Sequence, residues 1–277
     1  KLLKLINKIL LGWTVHWNIK NLVELNQFKG IKMPASSNFN QAIRDAQTSS
    51  IVGPNVVQKA LPYVGGGMVL TSLGVLAGVS LIATNPSLFQ PLSIVALIAE
   101  LVLFFVATSA ANNANNSKAL PLLTGFSLLT GFTLSGIVAL AIGTIGIGSV
   151  GTAALATGIT FVIASYTGQR MSDSVGQALS GVVGLGLIGL LIAMFVQLIG
   201  GFFAPGVFGG SGLELMIAGF GTVLFVAMSF LDFYTMPRRY NDDQYLAGAL
   251  GMYLTYINLF VFILRLMIAL QGGGRRN

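Results

Sequence analysis

The stretch ALSGVVGLGLIGLLIAMFVQLIGGFF, residues 178–203, decides the fold. It carries no charge, and its polar side chains are Ser180 and Gln197. A helix needs ~20 mostly apolar residues to cross a bilayer, and this stretch exceeds that length. Six further apolar stretches surround it, at 63–84, 92–111, 120–142, 152–167, 213–234 and 248–270. The 152–167 stretch is short, so its ends are expected to extend into 151–169. The expectation is an all-α membrane protein, a bundle of seven transmembrane helices spanning 63–270.

The connections between stretches alternate in charge. Those at 85–91, 143–151 and 204–212 contain no Lys or Arg. Those at 112–119, 168–177 and 235–247 carry Lys118, Arg170, and Arg238 with Arg239. Eight of the 15 basic residues precede the first stretch, Arg44 and Lys59 among them. Lys and Arg are retained on the cytoplasmic side during insertion, so a cytoplasmic N-terminus is expected. The same rule sets a tension at the other end. A seventh full crossing places Arg275 and Arg276 outside, whereas a segment that enters and returns would keep them in. LTYINLFVFILRLMI has no Pro or Gly to turn on, which favours one continuous helix.

Composition agrees with a membrane protein: 54% of residues are hydrophobic and 8% charged, against ~25% charged in soluble domains. The net charge of +7 needs no nucleic acid to explain it, because anionic headgroups attract a basic tail. The chain has no cysteine and one histidine, His16. Disulfides, thiolate catalysis, iron–sulfur ligation and paired-His metal sites are therefore excluded.

Residues 1–62 read as a basic cytoplasmic segment and 271–277 as a tail. In KLLKLINKILLGW, Lys1, Lys4 and Lys8 share a helical face, with Leu2, Leu5, Ile6, Ile9 and Trp13 mostly elsewhere. That pattern fits an interfacial helix. A targeting remnant or an added segment explains the different composition of 1–32 equally well, with Met33-Pro34 a natural start. Residues 34–50 are polar and expected to be flexible.

Gly146-Ile147-Gly148-Ser149-Val150-Gly151 matches G-x-G-x-x-G, with Asp173 at about the spacing of a ribose acid. That motif requires a strand before it and a soluble βαβ unit around it. Here it lies between two membrane stretches, so nucleotide binding is rejected. The glycines read instead as packing residues: Gly74-x-x-x-Gly78, and Gly181, Gly184, Gly186 and Gly189 along the fifth stretch. Small residues let membrane helices approach closely.

Four ionisable residues lie within the stretches: Glu100, Glu214, Asp232 and Arg265. Such residues are costly in a bilayer and face a partner or a water-filled cavity. At ~1.5 Å rise per residue, Glu100 lies ~12 Å and Arg265 ~8 Å below the outer ends of their segments. Similar depth and opposite sign make Glu100 and Arg265 an expected intramembrane ion pair, with Glu214, an interfacial residue, competing for Arg265. Asp232 ends the sixth stretch beside Arg238 and Arg239. It reads either as a solvated carboxylate paired with those arginines or as one buried among helices that gates a path. Thr255, ~10 Å above the inner end of the seventh segment, is near it in depth.

Three motifs in order carry a family resemblance. Gly248-Ala249-Leu250-Gly251-Met252-Tyr253-Leu254-Thr255-Tyr256-Ile257-Asn258-Leu259-Phe260, with Leu264-Arg265-Leu266, resembles the last segment of the Bax inhibitor-1-like (transmembrane Bax inhibitor motif) family. Residues 151–154 and 165–172 resemble that family's fourth segment and following loop. Leu231-Asp232-Phe233-Tyr234 resembles the end of its sixth. The resemblance covers about residues 55–270. It implies seven helices, the last surrounded by the other six, and in some members a pH-sensitive calcium leak governed by two aspartates. Asp232 matches the first aspartate. The second falls at or beside Thr255, which is no acid, and a family arginine falls near Ala111. Glu100 and Arg265 match the family's acidic and basic positions. No nucleophile–base pair, metal cluster or phosphate loop is visible in the sequence, so no enzyme, cofactor or resident metal is expected. The resemblance leaves two expectations: a slow Ca²⁺ or H⁺ leak with Asp232 and Thr255 at its gate, or a non-conducting partner of a larger membrane complex such as a membrane-anchored AAA+ protease. The expected location is a bacterial cytoplasmic or internal membrane.

Overall fold

A computed structural model describes residues 51–203 and 211–273. Seven helices follow one another: α1 Val56–Thr84, α2 Pro86–Asn112, α3 Asn116–Ile145, α4 Ile147–Gly168, α5 Asp173–Phe203, α6 Ser211–Arg239 and α7 Tyr245–Gly273. All seven are long and apolar enough to span a bilayer, and no strand occurs among the described residues. The interfacial helix expected in 1–13, the start at Met33-Pro34, the flexible 34–50 segment and the Arg275–Arg276 tail lie outside the described residues.

The breaks between helices are shorter than the apolar pattern suggests. Pro86 starts α2 at the first helical position, where its missing N–H costs nothing. Asn115 caps α3, its side chain accepting from the Lys118 N–H at 3.3 Å. Gly146, at φ +86°, alone separates α3 from α4, a backbone turn that suits a residue without Cβ. The G-x-G-x-x-G stretch is thus a helix break followed by the first turns of α4. The first membrane helix begins at Val56, well before residue 63. Gln58, Lys59 and Pro62 hide its first two turns from an apolar pattern, yet Gln58 and Lys59 are exposed on a helix that buries Val56, Val57 and Ala60.

α7 is the central helix and one unbroken element. It packs against α1, α2, α3, α4 and α6. α5 lies against α6 and shares a cluster with α7 through Val183 and Leu190, which meet Leu259 and Phe262. The surface is apolar: Val95, Leu97, Ile98, Leu101 and Val102 of α2 and Val182, Leu185, Leu191 and Ile192 of α5 are all exposed. Much of the interior is Ala, Gly, Ser and Thr. In a bilayer the hydrophobic effect does not hold helices together, and close packing of small residues replaces it.

Glycine packing is real in α1 and mostly absent from α5. A Cβ on Gly74 would collide with the Leu128 carbonyl, and one on Gly78 with Ser135, both on α3. Of the four glycines expected to pack along the fifth helix, however, only Gly186 faces a neighbour, Leu224 of α6, while Gly181, Gly184 and Gly189 face open space. The spacing failed there because α5 has one principal helical neighbour and cannot bury several faces.

The charge alternation yields a direct test of orientation. Single cysteines at Ser87 and Gly148 should react with an impermeant thiol reagent in intact cells, whereas Ser117 and Ser174 should not. All four positions are exposed; Ser149 is buried and unsuitable. The opposite labelling pattern would invert the bundle.

Candidate functional site

The end of the bundle that carries Lys59, Lys118, Arg170, Arg238 and Arg239 holds the first polar cluster. Asp232 projects from the last turns of α6 toward α7. Its Oδ2 is buried and has no hydrogen-bond partner. Phe233 and Met236 of α6 belong to the apolar cluster at this level, with Ala164, Ala249 and Met252. Thr255, 1% exposed, is the side chain that reaches the carboxyl, while its hydroxyl also donates to the Gly251 carbonyl at 3.3 Å. Arg239 and Tyr240 are close enough to feel its charge. Asp232 makes no ion pair among the described residues. The solvated reading of Asp232, paired with the adjacent arginines, therefore fails, because Arg238 turns away to another acid.

That acid is Asp173, at the start of α5. Arg238 donates to Asp173 Oδ1 from Nε at 3.2 Å and from an Nη at 2.9 Å. The Tyr234 hydroxyl donates to the same oxygen at 3.0 Å, and the guanidinium lies 4.0 Å over the Tyr234 ring. Gly176 leaves room for that ring. This clamp ties the start of α5 to the end of α6, through Tyr234 and Arg238, two and six residues beyond Asp232. Sequence reading missed it because Asp173 sits in a polar connection, where nothing in the spacing selects Arg238 over solvent.

A strap closes the same end. The N–H groups of Val52 and Gly53 donate to the Pro237 carbonyl at 2.8 and 3.0 Å. Gly53 lies so close to the Tyr240 carbonyl and Asn241 that any Cβ would clash. Asn55 donates to both Asp242 oxygens, from its backbone N–H at 2.9 Å and its side chain at 3.0 Å. The Asn55 side chain holds the Asp242 carboxyl below its ordinary range, and Lys59 adds to the effect. Because the folded value is lowered, this contribution is complete above the ordinary carboxylate pKa of ~4 and is lost as pH falls through the lowered value. Asp242→Ala should speed amide exchange at Val52 and Gly53 roughly tenfold at neutral pH, the scale of a hydrogen bond to a charge. Unchanged exchange would mean the strap is held by Pro237 alone.

At the opposite end, Arg265 pairs with Glu214 and not with Glu100. Its Nε and an Nη donate to Glu214 Oε1 and Oε2 at 2.8 and 2.9 Å. Gln197 of α5 donates to Oε2 at 2.9 Å. Glu100 instead accepts from Thr130 at 2.7 Å and Thr133 at 2.9 Å, both on α3. The expected Glu100–Arg265 pair is thus corrected. Depth along two helices was matched, but direction around them was not. Leu250, Tyr253 and Ile257 form the face of α7 toward α2 and α3, whereas Leu259 and Phe262 face α6. Arg265 follows Phe262 by three residues and shares its side.

Between the two ends, Tyr253 joins α7 to α1: its hydroxyl lies 2.6 Å from that of Thr71, whose single proton has the Gly67 and Ser127 carbonyls within reach at 2.9 and 3.1 Å. Ala111, where the resemblance places an arginine, is fully buried against Ala110, Ala119, Leu246 and Ala247. No three His, Cys, Asp or Glu side chains converge among the described residues. What the arrangement offers a cation at the basic end is one unsatisfied carboxylate oxygen beside a hydroxyl.

A family model described as Inhibitor of apoptosis-promoting Bax1 matches residues 53–272. An uncharacterized protein of Lactococcus lactis is 31% identical over 169 residues, covering 58% of this chain and 66% of that protein. An uncharacterized membrane protein of Streptococcus pyogenes is 31% identical over 196 residues, 68% of this chain and 77% of its own length. Bax inhibitor 1 of Schizosaccharomyces pombe is 35% identical over 60 residues, 22% of this chain and 23% of that one.

Proposed function

This chain belongs to the family of inhibitors of apoptosis-promoting Bax1, and from that premise we propose that it is a slow cation leak, for Ca²⁺ or H⁺, with Asp232 as its gate. One observation carries the reading: a carboxylate oxygen buried without a hydrogen-bond partner inside a membrane-spanning helix. A buried unsatisfied acceptor is costly, and in a bilayer such a group marks an ion or proton path. Thr255 supplies the adjacent hydroxyl from the central helix. The strap and the Arg238–Asp173 clamp close the same end. They keep water from the carboxylate in this conformation, so conduction requires this end to open, and the leak is slow. Beside α7 the polar groups continue as the hydroxyls of Tyr253 and Thr71, and the carboxylate of Glu100 on α2 is engaged by Thr130 and Thr133.

The experiment is calcium flux into proteoliposomes that hold the purified protein, with Asp232→Asn as control. Flux above empty liposomes that Asp232→Asn reduces supports the reading. No flux at any pH from 6 to 8 transfers it to the second one: a non-conducting partner of a larger membrane complex, such as an AAA+ protease. Thr255, where the resemblance places an acid, favours that reading. Its test surfaces are segment 33–59 and the stretch 235–247, which runs from the end of α6 to the start of α7, and their deletion should then abolish co-purification of the complex.

A further inference from the structure

We propose that the groove between α1 and α3, near the basic end, binds one anionic phospholipid, with an acyl chain between the helices and its phosphate at Lys59. The two helices run parallel and are locked where Thr71, Gly74 and Gly78 meet Leu128, Gly131 and Ser135. Toward the basic end that contact opens. A Cβ on Gly65 or Gly66 would meet nothing within 4 Å. The result is a cavity of about 120 Å³, walled by Gly66, Leu70, Leu123 and Thr124 and floored by Leu250 and Tyr253 of α7. Its lining is chiefly apolar, and its floor hydroxyl is already committed to Thr71. Nothing on the walls asks for water, so a hydrocarbon chain is the occupant a bilayer supplies there. An empty apolar space forfeits the dispersion contacts of its lining.

The mouth of the groove has the chemistry of a headgroup site. Lys59 precedes Tyr63 by one turn on the same face of α1. Its ammonium spends one of three N–H donors on the Asp242 carbonyl, leaving two for a phosphate. The Asp242 carboxylate nearby is occupied by Asn55. Lys118, exposed in the first turn of α3, adds a second cation at this end. Tyr63 lines the groove and its ring lies 5.2 Å from that of Tyr245, tilted by 35°, and Tyr at the headgroup level is the usual membrane-interface anchor. Cations on an apolar groove select an anionic amphiphile over a zwitterionic one. This binding stands independently of ion conduction.

The test is native mass spectrometry of the full chain released from nanodiscs of equimolar phosphatidylglycerol and phosphatidylcholine. One tightly retained lipid is expected, phosphatidylglycerol over phosphatidylcholine by ~5-fold, the scale of one lysine at an anionic surface. Lys59→Gln should bring the ratio near one while a lipid is still retained. Gly66→Leu, whose Cβ meets nothing within 4 Å, extends its side chain into the groove and should remove the retained lipid. Gly184→Leu, on open space of α5, should leave it. Thermal unfolding of each variant establishes folding. Equal retention of the two lipids by the natural chain, or undiminished retention by folded Gly66→Leu, overturns the proposal.

Discussion

Under the proposed leak, Thr255→Asp is expected to give calcium flux through the reconstituted protein a steep pH dependence near neutrality, where the natural chain is expected to show a shallow one. The side chain of Thr255 reaches Asp232, and an aspartate there puts a second carboxyl beside the first. Two carboxylates at that spacing do not both ionise easily. With one proton shared, they form a hydrogen bond that joins α6 to α7 and holds the basic end closed. Without it they repel, and two anions draw a divalent cation. The leak of the variant should therefore rise with pH, by up to roughly tenfold per unit for a single proton. Asp232→Asn should bring flux close to that of empty liposomes and flatten the profile in both backgrounds. Flux assays from pH 6 to 8 on the four proteins decide it. If Thr255→Asp leaves a measurable leak unaltered, Asp232 is not the gate.

The fold was legible because membrane helices advertise themselves by length. Seven apolar stretches became seven helices, and a run without Pro or Gly became the unbroken α7. Boundaries were less legible where polar residues lie on exposed turns, as at Lys59. The site was legible one residue at a time. Asp232 and Thr255 were named from segment ends and motif, and the structure sets them side by side. Pairings were not legible. Rise per residue gives depth, but the partner of a charge depends on its direction around the helix, which follows from the packing of all seven. Hence Arg265 found Glu214, and Asp173, unremarkable in a connection, found Arg238. The lone orphan oxygen of Asp232 has no sequence signature either, since it depends on Arg238 being engaged elsewhere.

Breaking the Glu214–Arg265 pair should cost more stability than any other single polar change at this end of the bundle. Both side chains are partly buried, 17% exposed for Arg265 and 31% for Glu214, and the bond is two-pronged. Removing one partner of a buried pair strands the other and typically costs ~3–5 kcal/mol. Partial exposure lowers the expectation here to about 2–3 kcal/mol. Glu214→Gln and Arg265→Gln should each lower the thermal midpoint in detergent, and the double variant should recover part of the loss, because neither charge is then stranded. Glu100→Gln is the control. Its amide oxygen still accepts from Thr130 or Thr133, so its effect should be small and additive with Arg265→Gln. Strict additivity of Glu214→Gln with Arg265→Gln, or coupling between Glu100→Gln and Arg265→Gln, would restore the pairing that depth alone suggests. The pair also fixes where mobility belongs. α5, α6 and α7 are joined at this end through Gln197, Glu214 and Arg265, so in the proposed leak the Asp232 end opens by pivoting about this one. Loosening Glu214–Arg265 should therefore raise the proposed leak while it lowers stability, a combination that simple unfolding of the protein would not give.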